Sequence, residues 1–177
     1  MSKLLNHIRT PKKKISLMKA LVYTVLITGI GLSLGIIVKL LDIYTTNLGN
    51  IFSQMSVWIF LCALLAVYSS TPKRAAINVL CFCIGMLVAY YLTAELTGSA
   101  YSMLFFYGWS VFALFSPIMG FGVWYAKGKG LISKIIIVSI IVIMLLTAIL
   151  LFDKIRIADV VFSVLTGAIL LKKEKTA

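Results

Sequence analysis

Six apolar runs, each bounded by turn residues or charge, follow one another along the chain at 20–41, 51–69, 75–92, 103–126, 135–152 and 157–171. A bilayer core of about 30 Å takes about 20 helical residues per crossing, so repeated runs of this length predict membrane-spanning helices. Composition agrees. Of 177 residues, 62% are hydrophobic and only 12% are charged, and the mean hydropathy is +1.08, well away from the roughly 25% charged of soluble domains. The predicted fold class is all-α: a compact bundle of six transmembrane helices. Its expected parts are a basic tail over 1–19, a six-helix domain over 20–171 and a short basic tail over 172–177. Little length remains for an ATPase module, a nucleic-acid-binding domain or a receptor head. The first run lacks a small-residue cleavage pattern after a short apolar core, so it is expected to be a retained helix and not a secretory signal.

The connections are short and punctuated: Asn47-Leu48-Gly49-Asn50, Ser70-Thr71-Pro72, Thr97-Gly98-Ser99 and Gly128-Lys129-Gly130. Short loops force neighbouring helices antiparallel. The sixth run has only 15 residues, about 22 Å at 1.5 Å per residue, so it is expected to be flanked by snorkelling side chains, to be extended by its ends or to span incompletely.

A net charge of +12 would suggest nucleic acid in a soluble protein, but here the cations sit in a tail and in loops, where they report orientation. With the N-terminus inside, the tail, Lys73, Arg74, Lys127, Lys129, Lys134, Lys172, Lys173 and Lys175 put 14 of the 17 basic residues on the cytoplasmic side. Only Lys39, Lys154 and Arg156 fall outside. Both termini are therefore predicted cytoplasmic. The expected location is a cell membrane, multi-pass, in the bacterial cytoplasmic membrane, with the lipid bilayer as first partner and no nucleic acid.

An ionisable residue inside a span is a functional pointer, because a charge in lipid is costly unless paired or hydrated. Lys39, Asp42, Glu95 and Asp159 all fall near the predicted outer ends of helices, as paired interfacial charges or as the mouth of a ligand site. Asp159, Ser163 and Thr166, at spacings of four and three, share one helix face. Ser53, Gln54, Ser56 and Trp58 cluster at the start of the second run, and Tyr101, Phe105, Trp109 and Phe112 make an aromatic stripe on the fourth. An aromatic wall with a few convergent polar groups suits a small, partly apolar ligand; an interfacial aromatic belt with ordinary bundle packing gives the same pattern. The candidate ligand-binding set is Gln54, Trp58, Tyr101, Phe105, Trp109, Asp159, Ser163 and Thr166.

Thr24, Thr28, Gly31 and Gly35 form a small-residue stripe on the first helix, and Asn78, Cys81, Gly85 and Ala89 form a matching one on the third. In lipid such stripes mark close helix contacts, within the chain or with another subunit. Pro117, with Gly120 and Gly122, predicts a bend or hinge in the fourth helix, since proline removes one backbone hydrogen bond. The fifth run is nearly all Ile, Val and Leu and is expected to face lipid. Cys62, Cys81 and Cys83 lie in apolar runs as reduced packing residues, and no metal or cofactor is expected. Catalysis is not expected either. The single histidine, His7, is in the tail, and there is no HExxH motif, carboxylate pair or phosphate-binding glycine loop.

The segments "AVYSSTPKRAAINV" and "GVWYAKGKGLISK" resemble small uncharacterised polytopic membrane proteins of Gram-positive bacteria. In its architecture, and in Gly31 and Gly35 as a small-xxx-small contact in helix 1, the chain also resembles the S components of energy-coupling-factor vitamin transporters. That family is usually alanine-rich at this contact, and no vitamin signature is present. The resemblance implies a solute-binding subunit with an outward pocket, no ATP site and separate coupling subunits. The competing class is a regulatory, immunity or assembly factor acting through helix contacts, as a homo-oligomer or with other membrane subunits, its basic tail lying on anionic lipid.

Overall fold

A computed structural model describes residues 8–11 and 15–172. Among the described residues the protein is all-α, without strands. The helices are α1 (Leu17–Tyr44), α2 (Thr46–Phe52), α3 (Met55–Tyr68), α4 (Pro72–Leu96), α5 (Met103–Trp124), α6 (Leu131–Phe152) and α7 (Ile157–Leu171), with a 3-10 turn at Tyr125–Lys127. Four segments are long and apolar enough to cross a membrane: Leu17–Tyr44, Pro72–Leu96, Met103–Lys127 and Leu131–Phe152. A fifth arises if α2 and α3 count as one span bent by 50°. At 15 residues α7 is shorter than these.

The second apolar run is therefore not the continuous helix expected over 51–69. Thr45 ends α1 by donating its N–H to Leu41 O at 2.8 Å, and its hydroxyl accepts from the Gly49 N–H at 3.2 Å, capping α2. Ser53 closes α2, its N–H and hydroxyl both donating to Gly49 O at 2.9 and 2.7 Å. The expected Asn47–Asn50 connection is thus helical. Gln54 then takes an extended conformation (φ −79°, ψ 138°) before α3 begins, and its side chain does not cap that helix.

The contacts divide the chain into two units. The first comprises residues 15–53 and 76–119. In it α1 and α4 meet backbone to backbone: a Cβ on Gly31 would lie 2.5 Å from the Phe82 carbonyl oxygen, one on Gly35 would collide with that of Met86, and one on Gly85 would lie 2.9 Å from that of Thr28. At one end of this seam the Thr24 hydroxyl reaches Asn78 Oδ1 at 2.9 Å. Glycine is required here by proximity. The outer side of α1, with Met18, Leu21, Val25 and Ile30 all at least half exposed, is lipid-facing. Helix α4 ends in a Schellman motif: Gly98 is left-handed (φ 62°), Ser99 N–H donates to Ala94 O at 2.9 Å and Gly98 N–H to Glu95 O at 3.1 Å. Helix α5 runs on through Pro117 without interruption. Proline cannot donate to the Ala113 carbonyl, and the Ser116 hydroxyl donates to it instead at 2.8 Å.

The second unit comprises residues 8–11, 54–75 and 120–172. Helices α3, α6 and α7 pack together around Met144, Ala148, Ala63, Ala66 and Val67, with Phe60 and Phe162 in ring contact at 5.3 Å and Ile141 of α6 lying 3.3 Å from where Gly167 would carry a Cβ. Helix α6 shows lipid only one side: Val138, Val142, Leu146 and Ile149 are exposed, whereas Ile137, Ile140, Met144 and Ala148 are buried.

The N-terminal segment docks on this unit at residues 8 and 9. The Arg9 guanidinium donates to Trp124 O at 2.6 Å and Val67 O at 2.9 Å, and its carbon stacks 4.2 Å from the Trp124 ring centroid. These carbonyls belong to the last turns of α5 and α3, where backbone acceptors lack helical partners. Trp124 donates Nε1–H to Ser69 O at 2.9 Å, and Lys129 N–H donates to Ile8 O at 2.7 Å. The other tail residues, at 1–7, 12–14 and 173–177, lie outside the described residues.

The seam generates a direct test. Gly35→Ala drives a methyl into backbone and is expected to cost about 1–3 kcal/mol, the usual scale of overpacking. Gly122→Ala, with nothing within 4 Å of the added Cβ, should leave thermal unfolding in detergent unchanged. Equal unfolding midpoints for the two variants would contradict the seam.

Candidate functional site

Among the described residues, a dense cluster of buried polar groups is in the second unit, where the start of α7 packs against the start of α3. Asp159 is in the first turn of α7 and only 2% exposed. Its Oδ2 accepts the Arg156 backbone N–H at 2.9 Å, as an acidic residue at this position does when it reaches back to the residue before its helix. Its Oδ1 accepts the Ser56 hydroxyl at 2.5 Å. Gln54 lies between two charged groups that settle its orientation: its amide nitrogen donates to Asp159 Oδ1 at 3.2 Å and its oxygen accepts from Arg156 Nη1 at 3.1 Å. A carboxylate offers only acceptors and a guanidinium only donors, so no other orientation satisfies both. Gln54 and Ser56 are each 1% exposed.

Helix α7 turns Asp159, Ser163, Thr166, Gly167 and Leu170 inward together. The Thr166 hydroxyl donates back to Phe162 O at 2.7 Å, so it is locally satisfied. The Ser163 hydroxyl is buried and has no hydrogen-bond partner among the described residues. It is the exception in this cluster, since buried polar groups are nearly always bonded. Trp58 is buried in the same unit at 2% exposure.

Of the residues proposed from sequence, Gln54, Ser56 and Asp159 come together, with Ser163 and Thr166 further along the same α7 face. Tyr101, Phe105 and Trp109 belong to the first unit. There the Tyr101 hydroxyl donates to Glu95 Oε1 at 2.6 Å, a bond that pushes this phenol above its ordinary pKa, and its ring meets Tyr91 at 5.0 Å. Trp109 meets Phe112 at 6.1 Å, and Phe105 is half-buried. Thr24, Thr28, Gly31, Gly35, Asn78 and Gly85 all lie at or beside the α1–α4 seam. Of the proposed hinge residues, Pro117 is inside a continuous helix, Gly120 is buried and Gly122 is in open space.

Two charged residues stand out beyond that set. Arg156 was readable in principle, because it immediately precedes α7, three residues before an acid. Lys39 was expected at an interface. It is 1% exposed, pairs with Asp42 Oδ2 at 3.1 Å and has its ammonium 5.1 Å from the Tyr90 ring centroid; Tyr90 also donates its hydroxyl to Asp42 at 3.0 Å. The i,i+3 spacing of Lys39 and Asp42 puts that pair on one face of α1, whereas Tyr90 comes from α4 and no local pattern announces it.

Four to five apolar candidate spans and buried, internally paired charges define a multi-pass helical membrane protein. The chain belongs to a family of unknown function, DUF6518, whose model matches residues 14–135. Gln54 and Ser56 fall within that match; Arg156, Asp159, Ser163 and Thr166 lie beyond it. No curated protein and no solved structure matches the chain.

The cluster predicts unequal costs for its members. Asp159→Ala strands the Ser56 hydroxyl, the Gln54 amide and the Arg156 N–H, and should lower stability by about 2 kcal/mol or more. Ser163→Ala removes a hydroxyl that has no hydrogen-bond partner among the described residues and should be neutral or slightly stabilising, within about 0.5 kcal/mol. Thermal unfolding of the purified variants checks the ranking, and a reversed order would contradict the geometry.

Proposed function

We propose that this protein is a non-enzymatic solute-binding or transport subunit of the bacterial cytoplasmic membrane, taking its ligand at the Asp159 cluster from the outer side. It has six spans, with the bent α2–α3 pair and the short α7 each counted as one, and both termini are cytoplasmic. The cytoplasmic end is rich in Lys and Arg, in keeping with the positive-inside rule. Energy comes from separate subunits, as the likeness to transporter S components suggests.

The observation that carries this reading is a buried carboxylate with amide, hydroxyl and guanidinium groups around it, in a domain otherwise built of apolar helices. Charged groups within membrane domains tend to mark ligand or ion pathways. The unbonded Ser163 hydroxyl beside it favours ligand binding over a purely structural lock, which would leave every member paired. The competing reading, a regulatory, immunity or assembly factor, draws on the α1–α4 seam, but that seam is already filled within the chain.

The test is a solute screen on detergent-purified wild type and Asp159→Asn, read as unfolding midpoint and followed by direct binding. At least one small polar solute should raise the wild-type midpoint saturably and lose most of that effect in Asp159→Asn. If no solute does so, and Asp159→Asn supports growth and assembly like wild type, the solute-binding reading fails and the helix-contact reading takes its place.

A further inference from the structure

Resting on the solute-binding reading of the Asp159 cluster, we infer that the ligand is a small zwitterion of the amino-acid type, and that the Gln54 side chain stands in its place when the site is empty. The Gln54 amide spans the gap between an acceptor-only group and a donor-only group. Its NH2 serves Asp159 Oδ1 at 3.2 Å and its carbonyl serves Arg156 Nη1 at 3.1 Å. A ligand with the same pattern needs a donor at one end and an acceptor at the other. An ammonium and a carboxylate supply both, with a full charge at each end.

Charge narrows the class further. Asp159 and Arg156 together carry no net charge, so a lone anion or cation brings an unbalanced charge to the cluster, whereas a net-neutral ligand does not. A zwitterion matches both at once. Charge-assisted bonds between such groups are typically about 2.7–2.9 Å and roughly twice as strong as neutral ones. The two Gln54 bonds are longer than that, so the internal bridge is the weaker occupant.

Gln54 is also free to leave. It precedes α3 in an extended conformation at the break after α2, and its side chain makes no cap bond to α3, so its departure costs that helix nothing. The Ser56 hydroxyl and the Arg156 backbone N–H keep Asp159 oriented in its absence. Ser163, one turn further along the same buried face and without a hydrogen-bond partner among the described residues, offers the ligand a third polar contact. The amide is thus an internal competitor, and removing it unmasks the site.

The experiment is calorimetry and thermal unfolding of the purified full-length chain with glycine and leucine as zwitterions. Acetate, methylammonium and acetamide at matched ionic strength serve as single-feature controls. Wild type should bind a zwitterion saturably and the three controls at least about tenfold more weakly, a difference of about 1.4 kcal/mol. Gln54→Ala should bind the same zwitterion more tightly than wild type, whereas Asp159→Asn and Arg156→Gln should each lose most of the binding. Gln54→Ser provides the same comparison should the alanine variant not fold.

Equal affinity in wild type and both Gln54 variants, or binding that survives Asp159→Asn and Arg156→Gln, overturns the inference. If the solute screen finds a ligand of another class that depends on Asp159, the zwitterion inference falls and the solute-binding reading stands. If no solute binds wild type or either Gln54 variant, both fall.

Discussion

In lipid no water completes the hydrogen bonding of a stranded polar group, so each must find a partner within the protein. Asp159 shows what that constraint demands. Its two oxygens take the Ser56 hydroxyl, the Gln54 amide and the Arg156 N–H, and a break between α2 and α3 delivers Gln54 to it. The same rule explains smaller features. Ser116 serves the carbonyl that Pro117 cannot, Thr28 and Thr147 bond back to the preceding turn, and Arg9 takes carbonyls at the ends of α3 and α5. Against this background the unbonded Ser163 hydroxyl carries weight. Among the described residues it is a buried hydroxyl that no protein group satisfies.

Much of the architecture was legible in the sequence because lipid-spanning helices need length and apolarity, both local properties. The starts of α5 and α7 fall at the positions expected. The glycines at 31, 35 and 85 were legible as a contact because only small residues let helix backbones approach so closely, and the α1–α4 seam uses all three. The inward face of α7 followed from spacing alone.

The rest depended on partners distant in sequence. Apolar periodicity passes straight through Ser53 and Gln54, and nothing local announces that the Gln54 side chain bonds Asp159 and Arg156, about a hundred positions away. Lys39 reads as an interfacial charge paired or solvated, and its burial becomes apparent only once Tyr90 of α4 is placed beside the Lys39–Asp42 pair. Arg9 reads as one more topogenic charge, yet its planar fork matches two helix-end carbonyls and an indole face, a role that lysine does not fill. Helix α6 reads as lipid-facing and is largely exposed; the residues on its buried side could not be told apart because both sides use the same residue types.

Ligand entry from outside requires the Asp159 end of the second unit to face outward while the Arg9 end faces the cytoplasm. The most direct measurement introduces single cysteines at Lys154, beside the start of α7, and at Lys129, which bonds the docked N-terminal segment, in a background with Cys62, Cys81 and Cys83 replaced by serine. Intact bacterial cells expressing each variant are exposed to a membrane-impermeant maleimide. Lys154→Cys should label in intact cells and Lys129→Cys only after permeabilisation. Labelling of Lys129→Cys in intact cells with protection of Lys154→Cys would invert the topology and contradict a site that receives its ligand from outside.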